Sequence, residues 1–385
     1  MTEKNAIDIL KSLVGFDTTS YKSNLDLIAF VESYLNTHNI KSTLVYDSSG
    51  KKANLYATIG SGNEEGIMLS GHTDVVPITG QAWTDDPFHL TQKENKLYGR
   101  GTADMKGFLA LILSRVPKMI SANLSKPIHL AFSYDEEVGC VGVHRLLDLI
   151  NGNSIKPTFC IVGEPTSMEV VTGHKGKCGY QVVVRGLSCH SGQAPFGVNA
   201  VNYAAKLISH ITDISKEKSI KGPFDYDYEV PYTTLHTGVI SGGTILNIVP
   251  DSCQFEFEIR HLIEENPREL INKIKLYAKE HLVPDMHKVS SKTDINFEEK
   301  ITYPGLSIDE NSELVRYIKK LLNNEKHKKV IFGTEGGLFQ EKLNLPTVVC
   351  GPGSIDQAHK ADEYISINQL EKGGKFLDDL ITSSY

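Results

Sequence analysis

Paired cysteines, long apolar runs and an excess of basic charge are all absent from this sequence. The six cysteines stand singly with no Cys-x-x-Cys pair, which argues against a disulfide framework or a structural zinc site and favours reduced thiols. No apolar run is long enough to span a membrane, and the N-terminus shows no secretion signal. The net charge of -7 provides no basic surface for nucleic acid or an anionic membrane. We therefore expect a cytoplasmic protein with no nucleic-acid or membrane partner.

The 385 residues are enough for two or three domains. Strands alternate with helices in the first half of the chain and again near its end, which indicates α/β units and a mostly parallel sheet flanked by helices. Between these parts, residues 254–259 alternate polar and apolar side chains, as expected of a sheet with one wet face. We predict a discontinuous α/β domain with a mixed, mostly parallel sheet, formed by residues 1–176 and 288–385, and an inserted smaller α+β domain at 177–287.

His72 and Asp74 follow a short apolar run at residues 67–70, which reads as a buried strand. If the strand geometry continues, both side chains project to the same side, because side chains repeat every two residues. A histidine oriented by a carboxylate, or a metal-bound histidine with an aspartate behind it, could be built in this way. A loop or capping histidine fits the same short pattern, so the pair alone does not identify a chemistry.

Further ligand-type side chains follow other predicted strands or begin a predicted helix. Asp104 opens a helix and could simply be its N-cap, and Glu136 with Glu137 could form an exposed acidic loop. Imidazoles and carboxylates together suit zinc or cobalt, and a pair of metals is usually bridged by one carboxylate. In α/β sheets ligands bind outside the carboxyl ends of the strands, where most of these residues fall. The candidate metal ligands are His72, Asp104, Glu137, Glu164 and His359.

Five motifs contain these candidate residues. They are Gly-His-Thr-Asp at 71–74, Gly-Arg-Gly-Thr-Ala-Asp-Met-Lys-Gly at 99–107, Asp-Glu-Glu-Val-Gly at 135–139, Gly-Glu-Pro-Thr at 163–166 and Gly-Pro-Gly-Ser-Ile-Asp-Gln-Ala-His-Lys-Ala-Asp-Glu-Tyr at 351–364. In order and spacing they resemble the motifs of the M20 family of dinuclear metallohydrolases, over essentially the whole chain. Four shorter motifs, at 174–176, 189–191, 197–200 and 334–336, resemble the acetylornithine deacetylase branch of that family.

The resemblance implies two divalent metal ions, zinc or alternatively cobalt, held by five residues of this chain. Asp104 would bridge the two ions. His72 and Glu164 would complete one metal site. Glu137 and His359 would complete the other. Ions held in this way polarise the scissile carbonyl of a substrate and lower the pKa of bound water from about 15.7 towards about 7.

The same resemblance implies roles for residues that do not bind metal. Asp74 would orient His72. Glu136 would be the general base and acid, which requires a carboxylate close to the metals but not coordinated to them. The peptide bond between Asp104 and Met105 would be cis.

Three candidate contacts to substrate lie in the inserted domain. The resemblance implies that His190 reaches the active site of a partner subunit and stabilises the tetrahedral oxyanion. The inserted domain would then be the dimerisation and lid domain of a homodimer. Asn247 and Arg260 would contact the substrate, with the guanidinium of Arg260 binding an α-carboxylate in a bidentate fashion. An ion pair within the sheet is the alternative for Arg260.

The activity that the resemblance implies is hydrolysis of a small-molecule N-acyl amino acid. The reaction expected first is that of N2-acetyl-L-ornithine with water to give L-ornithine and acetate, a step of arginine biosynthesis. Another M20 deacylase, such as a succinyl-diaminopimelate desuccinylase, or a dipeptidase is the alternative. A metal-free homologue that only binds an amino acid is a further alternative, against which the complete set of ligand and base residues argues.

Overall fold

Residues 5–60, 65–153 and 156–383 are described by the structure, which is a computed structural model. The chain divides into two units. The larger unit combines Met1–His174 with Leu306–Tyr385, and the smaller unit is Lys175–Gly305. The smaller unit is therefore an insertion between two segments of the larger one.

Sixteen strands form within the described residues, and they are numbered here in chain order. They are β1 (Ser42–Tyr46), β2 (Ala53–Ile59), β3 (Ile67–His72), β4 (Thr91–Lys93), β5 (Lys96–Tyr98), β6 (Ile128–Ser133), β7 (Phe159–Val162), β8 (Val170–His174), β9 (Gly176–Arg185), β10 (Thr234–Gly242), β11 (Ser252–His261), β12 (Asp294–Tyr303), β13 (Leu306–Ser307), β14 (His327–Val330), β15 (Thr347–Val349) and β16 (Tyr364–Ser366).

Ten α-helices lie in the same described part of the chain. They are α1 (Ala6–Val14), α2 (Leu25–Thr37), α3 (Lys106–Ser121), α4 (Val143–Gly152), α5 (Ala200–Lys221), α6 (Pro267–Tyr277), α7 (Val283–His287), α8 (Glu313–Leu322), α9 (Gly336–Leu343) and α10 (Ile367–Thr382). A 3-10 helix spans Ser191–Phe196, and a π-helical turn at Ala278–Leu282 joins α6 to α7. Among the described helices none combines the length and the apolar character needed to cross a membrane.

The larger unit is built on a mixed nine-stranded sheet. Its order is β1-β2-β6-β3-β7-β15-β8-β13, and β14 also pairs with β8. The neighbours β6, β3, β7 and β15 run parallel, whereas β1, β2 and β13 add antiparallel pairs towards the edges. The mixed, mostly parallel sheet predicted from the sequence is confirmed, and its parallel strands lie at its centre.

The central strands β3, β6 and β7 are buried along their whole length. Because successive side chains of a strand point to opposite faces, continuous burial means that both faces of the sheet are covered. Helix α3 contributes Phe108 and Leu109 to the same core as Leu69 of β3 and Leu130 of β6. With both faces covered, the carboxyl-terminal edge of the parallel strands is the place where polar side chains can gather.

The smaller unit is a four-stranded antiparallel sheet with helices packed against it. Its order is β10-β11-β9-β12. Burial alternates along β11, and Phe255, Phe257 and Ile259 enter a core shared with α5 and α6, as the period of two predicts. This unit extends to Gly305, beyond the predicted residue 287, because nine residues of β12 pair with β9.

A small three-stranded antiparallel sheet in the larger unit joins two distant segments of the chain. Its order is β16-β5-β4, and Tyr364 of β16 pairs with Tyr98 of β5. The N–H of Gly99, just after β5, donates to the carbonyl of Glu363, just before β16 (3.0 Å). This sheet therefore brings the loop that follows Gly99 beside the loop that precedes Tyr364, and both loops carry predicted metal ligands.

Candidate metal centre

Four predicted site residues lie at or just beyond the ends of three neighbouring parallel strands of the central sheet. His72 is the last residue of β3 and pairs in register with Ser133, the last residue of β6. Glu136 and Glu137 come shortly after β6, and Glu164 comes shortly after β7. Because these strands run parallel, their carboxyl ends lie at one edge of the sheet. The sheet topology thus gathers these four side chains at that edge.

Asp104 lies between two imidazoles. Its Oδ1 is 3.1 Å from Nε2 of His72, and its Oδ2 is 3.2 Å from Nε2 of His359. The helix that follows begins at Lys106 with Met105 at its N-cap position, so the capping alternative for Asp104 is wrong. The peptide bond between Asp104 and Met105 is cis, as the resemblance implied. A carboxylate that presents one oxygen to each histidine has the arrangement that a bridging ligand needs.

The remaining carboxylates complete two groups around these histidines. Glu164 Oε1 is 3.7 Å from Nε2 of His72, and Glu137 Oε2 is 3.0 Å from Nε2 of His359. Potential ligand atoms of His72, Asp104 and Glu137 all lie within 4.8 Å of one another, and so do those of His72, Glu136 and Glu164. The structure therefore brings all five predicted ligands into one cluster and places Glu136 beside them.

The donor set of this cluster fits a divalent cation. Imidazole nitrogens with carboxylate oxygens are ligands that zinc and neighbouring transition metals accept. Oε1 of Glu137 is buried and has no hydrogen-bond partner among the residues that the structure describes. A buried carboxylate oxygen without a partner is costly unless a cation or donor meets it. The residues present are therefore candidate metal ligands.

Asp74 connects the histidine side of the cluster with the acidic turn after β6. Its backbone carbonyl is 2.9 Å from Nδ1 of His72, and its Oδ1 is 3.5 Å from the same nitrogen. The carboxylate accepts the main-chain N–H groups of Glu136 (3.1 Å) and Glu137 (3.3 Å) and the hydroxyl of Ser20 (2.7 Å). Asp74 is thus placed to orient an imidazole and to fix the turn that carries two acidic side chains.

Burial raises the pKa of three carboxyl groups in this cluster. It raises the pKa values of Glu136 and Glu164 well above the ordinary value and that of Glu137 to about 7. The nearby negative charge of Asp104 adds to the rise at Glu137 and Glu164. A divalent cation favours the ionised form of carboxylates that it binds, and so it would oppose both effects.

Hydrogen bonds link the imidazole of His359 to Asp104 and Glu137. Burial opposes ionisation of Asp104, but its hydrogen bonds with His359 and His72 outweigh burial and keep its pKa below the usual value. The hydrogen bonds to Asp104 and Glu137 raise the pKa of His359 to about 10. His359 is 52% exposed and lies on a loop, whereas His72 is 1% exposed on a strand. The two imidazoles of the cluster therefore have very different structural support.

Two side chains that interact with the cluster were not among the predicted site residues. Ser20, which donates to Asp74, belongs to none of the quoted motifs. Glu335, at the start of α9, is buried, and burial raises its pKa to about 7. When ionised, Glu335 adds to the rise in the pKa of Glu136. Its motif at 334–336 was visible in the sequence, but no spacing rule connects that segment with the strand ends.

His190 and Asn247 lie on adjacent loops of the smaller unit. His190 forms a β-bridge with Ile248, and the N–H of Ser191 donates to the carbonyl of Asn247 (2.9 Å). Both His190 and Asn247 are exposed. Nδ1 of His190 accepts the N–H of Gly192 (3.1 Å). The two residues are therefore neighbours, and their predicted contacts with substrate stay predictions.

Arg260 lies on β11 and is engaged within its own sheet. Its Nε donates to Oε1 of Glu258 (2.9 Å), and its Nη1 donates to the hydroxyl of Tyr303 (3.0 Å). Lys177 on β9 also contacts Glu258 (2.9 Å). The ion pair that was the structural alternative for Arg260 is present, and its contact with a substrate carboxylate stays a prediction.

Comparisons with known proteins place these motifs in context. The family model of Peptidase family M20/M25/M40 matches residues 68–383. An acetylornithine deacetylase of Proteus mirabilis is 34% identical over 374 residues, which cover 96% of this chain and 92% of that protein. An acetylornithine deacetylase of Pasteurella multocida is 32% identical over 363 residues, which cover 94% of this chain and 91% of that protein.

Solved structures share the fold at lower identity. The M20 family metallo-carboxypeptidase Sso-CP2 of Sulfolobus solfataricus superposes with a TM-score of 0.78 at 19% identity. The superposition covers 98% of this chain and 99% of that structure. At this identity the likeness supports the fold and not the substrate.

Replacing Asp74 by alanine should weaken divalent-metal binding about 10- to 100-fold. The change removes the carboxylate that accepts the N–H groups of Glu136 and Glu137 and that lies beside His72. Calorimetric titration of metal-depleted protein with Zn2+ measures the affinity. The control Asp47→Asn, in the turn before β2, should bind as the wild type does. An Asp74→Ala protein with unchanged affinity would contradict the positioning role.

Proposed function

The chain belongs to peptidase family M20/M25/M40, and we propose that it is a metal-dependent amide hydrolase that converts N2-acetyl-L-ornithine and water into L-ornithine and acetate. The reaction class rests on the convergence of imidazoles and carboxylates at one sheet edge, with Glu136 beside them. The substrate is supported by two relatives named acetylornithine deacetylase, aligned over 94% and 96% of this chain. The reaction would belong to arginine biosynthesis, and six free cysteines support a reducing compartment such as the cytoplasm.

The proposed cofactor is a pair of divalent ions, zinc or alternatively cobalt. Asp104 would bridge them, because each of its carboxylate oxygens faces a different histidine. His72 and Glu164 would complete one metal position. Glu137 and His359 would complete the other. When bound, the ions supply Lewis acidity, which polarises the substrate carbonyl and acidifies water.

Glu136 would carry the proton in this reaction. Its main-chain N–H is held by Asp74, and the thiol of Cys140 lies 3.5 Å from its Oε1. This support fixes a carboxylate beside the metal ligands. Glu136 takes a proton from the attacking water as the carbon–oxygen bond forms. It then gives that proton to the amine nitrogen as the carbon–nitrogen bond breaks, so that acetate and the free amine leave.

His190 would stabilise the oxyanion that develops on the substrate carbonyl. Because Nδ1 of His190 accepts the N–H of Gly192, a neutral imidazole carries its proton on Nε2. An exposed N–H donor is the group that oxyanion stabilisation requires. Asn247, on the adjacent loop, would contact the same substrate. Arg260 would bind the α-carboxylate, since its hydrogen bonds with Glu258 and Tyr303 use three of the five N–H groups of a guanidinium.

A second copy of this chain is the proposed partner of the smaller unit. Strand β10 is an edge strand whose sequence has no Lys, Arg, Asp or Glu, and its Val239 and Ile240 are 54% and 53% exposed. The opposite edge strand, β12, carries Asp294, Glu298, Glu299 and Lys300. Charged side chains protect a sheet edge from pairing, and β10 lacks this protection. Pairing of β10 with its own copy would give a two-fold dimer, which agrees with the proposed role of His190 across subunits.

A substrate panel tests the proposed activity. Metal-depleted protein is reconstituted with zinc or cobalt and offered N2-acetyl-L-ornithine, an N-succinyl-diaminopimelate and a dipeptide, and release of the free amine is measured. We expect kcat/KM for acetylornithine to exceed the others by about 100-fold or more, because the site would hydrogen-bond one substrate fully. Chelated protein should be inactive. Turnover of the succinylated compound or the dipeptide without turnover of acetylornithine would overturn the assigned substrate.

The variant Glu136→Gln tests the proton carrier separately from the metal ligands. We expect kcat to fall by about 100- to 10,000-fold, because the amide cannot accept a proton, while the bound metal remains. Steady-state kinetics and elemental analysis of the metal content measure the two quantities. The control Glu169→Gln, at a half-buried residue paired with Lys328, should keep both activity and metal. Full activity in Glu136→Gln would remove the proposed role.

The variant Ile240→Lys tests the proposed dimer. A charge on β10 should leave a monomer of 42.6 kDa in sedimentation equilibrium, whereas the wild type should have twice that mass. If His190 acts across the dimer, the monomer should also lose about 100- to 1000-fold in kcat while it keeps its metal. The control Ile220→Lys, at a residue 76% exposed on α5, should remain dimeric. A monomeric wild type would contradict the proposal.

A further inference from the structure

Two of the candidate ligands are carried by loops rather than by strands. Asp104 precedes α3, and His359 lies in a turn with a φ of 61° and a half-exposed side chain. The two residues are far apart in the chain, and yet His359 Nε2 is 3.2 Å from Asp104 Oδ2. Ligand groups must be held within about 0.5 Å of the productive geometry if they are to bind well. Some other contact must therefore fix one loop against the other.

Glu363 supplies that contact. Its carboxylate is 1% exposed and receives four hydrogen bonds from the loop that carries Asp104. Oε1 accepts the N–H groups of Ala103 (2.9 Å) and Asp104 (3.1 Å). Oε2 accepts the N–H of Gly101 (2.9 Å) and Nη1 of Arg100 (2.8 Å). A single side chain, four residues after His359, thus holds the main chain of the candidate bridging ligand.

Arg100 and Gln81 continue the connection back to His359. Nη2 of Arg100 donates to Oε1 of Gln81, and Nε2 of Gln81 donates to the carbonyl of His359 (2.9 Å). The indole N–H of Trp83 also donates to Oε1 of Gln81 (3.1 Å), and the Arg100 guanidinium lies over the Trp83 ring at 4.9 Å. Hydrogen bonds therefore run from the main chain of Asp104 through Glu363, Arg100 and Gln81 to the main chain of His359.

Stability alone is a poor explanation for this arrangement. A buried ion pair such as Arg100–Glu363 contributes little net stability, because desolvation of the two charges offsets their attraction. Both carboxylate oxygens of Glu363 also accept main-chain N–H groups of the loop that carries Asp104, including the N–H of Asp104 itself. These contacts control the position of a ligand side chain without touching it.

The other half of the cluster is supported independently. His72 ends a strand that is hydrogen-bonded on both sides, and Asp74 holds its imidazole. Neither His72 nor Glu164 takes part in the hydrogen bonds that run through Glu363, Arg100 and Gln81. Loss of these hydrogen bonds should therefore weaken the metal position that His359 completes more than the metal position that His72 completes.

We propose that Glu363, Arg100 and Gln81 are positioning residues that set the separation of Asp104 and His359 and thereby the affinity of one of the two metal positions. This inference rests on the proposed function, because it concerns the divalent ions assigned there. The three residues form what we call the ligand clamp. The clamp acts through the main chains of Asp104 and His359.

Calorimetric titration of metal-depleted protein with Zn2+ tests the clamp directly. In Glu363→Gln the dissociation constant of one of two equivalents should rise about 10- to 100-fold, because the amide can accept only part of the four hydrogen bonds. The other equivalent should weaken less, because it shares Asp104 but not His359. The control Asp356→Asn changes an exposed carboxylate on the same loop, which accepts the hydroxyl of Ser354 in its own turn, and this variant should bind metal as the wild type does.

A double variant identifies which metal position is affected. His359→Ala removes a ligand of the position in question, so Glu363→Gln should add little further loss in that background. Equal additional loss in both backgrounds would show that Glu363 acts elsewhere and would overturn the proposal. Far-ultraviolet circular dichroism and thermal unfolding check that each variant is folded.

Gln81→Ala keeps the proposal testable if Glu363→Gln fails to fold. It breaks the link to His359 but leaves both partners of the Arg100–Glu363 ion pair in place, and we expect a smaller loss at the same metal position. Folded Glu363→Gln or Gln81→Ala protein with both equivalents bound at wild-type affinity would overturn the clamp. A wild type that binds no divalent ion would instead overturn the proposed function, and the inference with it, before any variant is compared.

Discussion

The carboxylate of Asp104, held between two imidazoles, is the contact on which the rest of the site depends. A buried carboxylate is tolerated only when opposite charge or hydrogen bonds compensate its lost hydration. His72 and His359 provide that compensation from two different parts of the chain, and burial raises the pKa of the acidic side chains around them. Each of these carboxylates would be unfavourable if it were buried alone. Together they are compatible when positive charge lies among them.

The two histidines are held by different kinds of structure. His72 inherits its position from a buried parallel strand, where register with β6 and the contact with Asp74 leave little freedom. His359 has no such element, and its loop is tied to the Asp104 loop through Glu363, whose ion-pair partner Arg100 is 263 residues away in sequence. A strand end positions a side chain by its own geometry, whereas a loop needs long-range polar contacts to do the same.

In the smaller unit, the sequence predicted which face of a strand is buried but not which strands pair with each other. Alternation along β11 correctly indicated one buried and one exposed face, because a strand has a side-chain period of two. The same pattern did not reveal that β12 extends the sheet to Gly305, since strand pairing is a long-range choice. Nor did it reveal the partners of Arg260, which lie two residues away on its own strand and on β12.

Local spacing along the chain was enough to predict the mixed sheet and to select His72, Glu136, Glu137 and Glu164 as residues at the ends of its strands. Side-chain periods of two and of 3.6 residues, which can be seen in short stretches of sequence, predict strands and helices. Parallel strands share one direction, so their carboxyl ends meet at one edge of the sheet. Local spacing did not decide whether Asp104 caps α3 or lies between the histidines, and it gave no sign that Glu363 and Arg100 join the loops of Asp104 and His359. Tertiary structure decided both. These outcomes depend on contacts between segments far apart in sequence, and no local period or spacing encodes which distant partner a buried charge will meet.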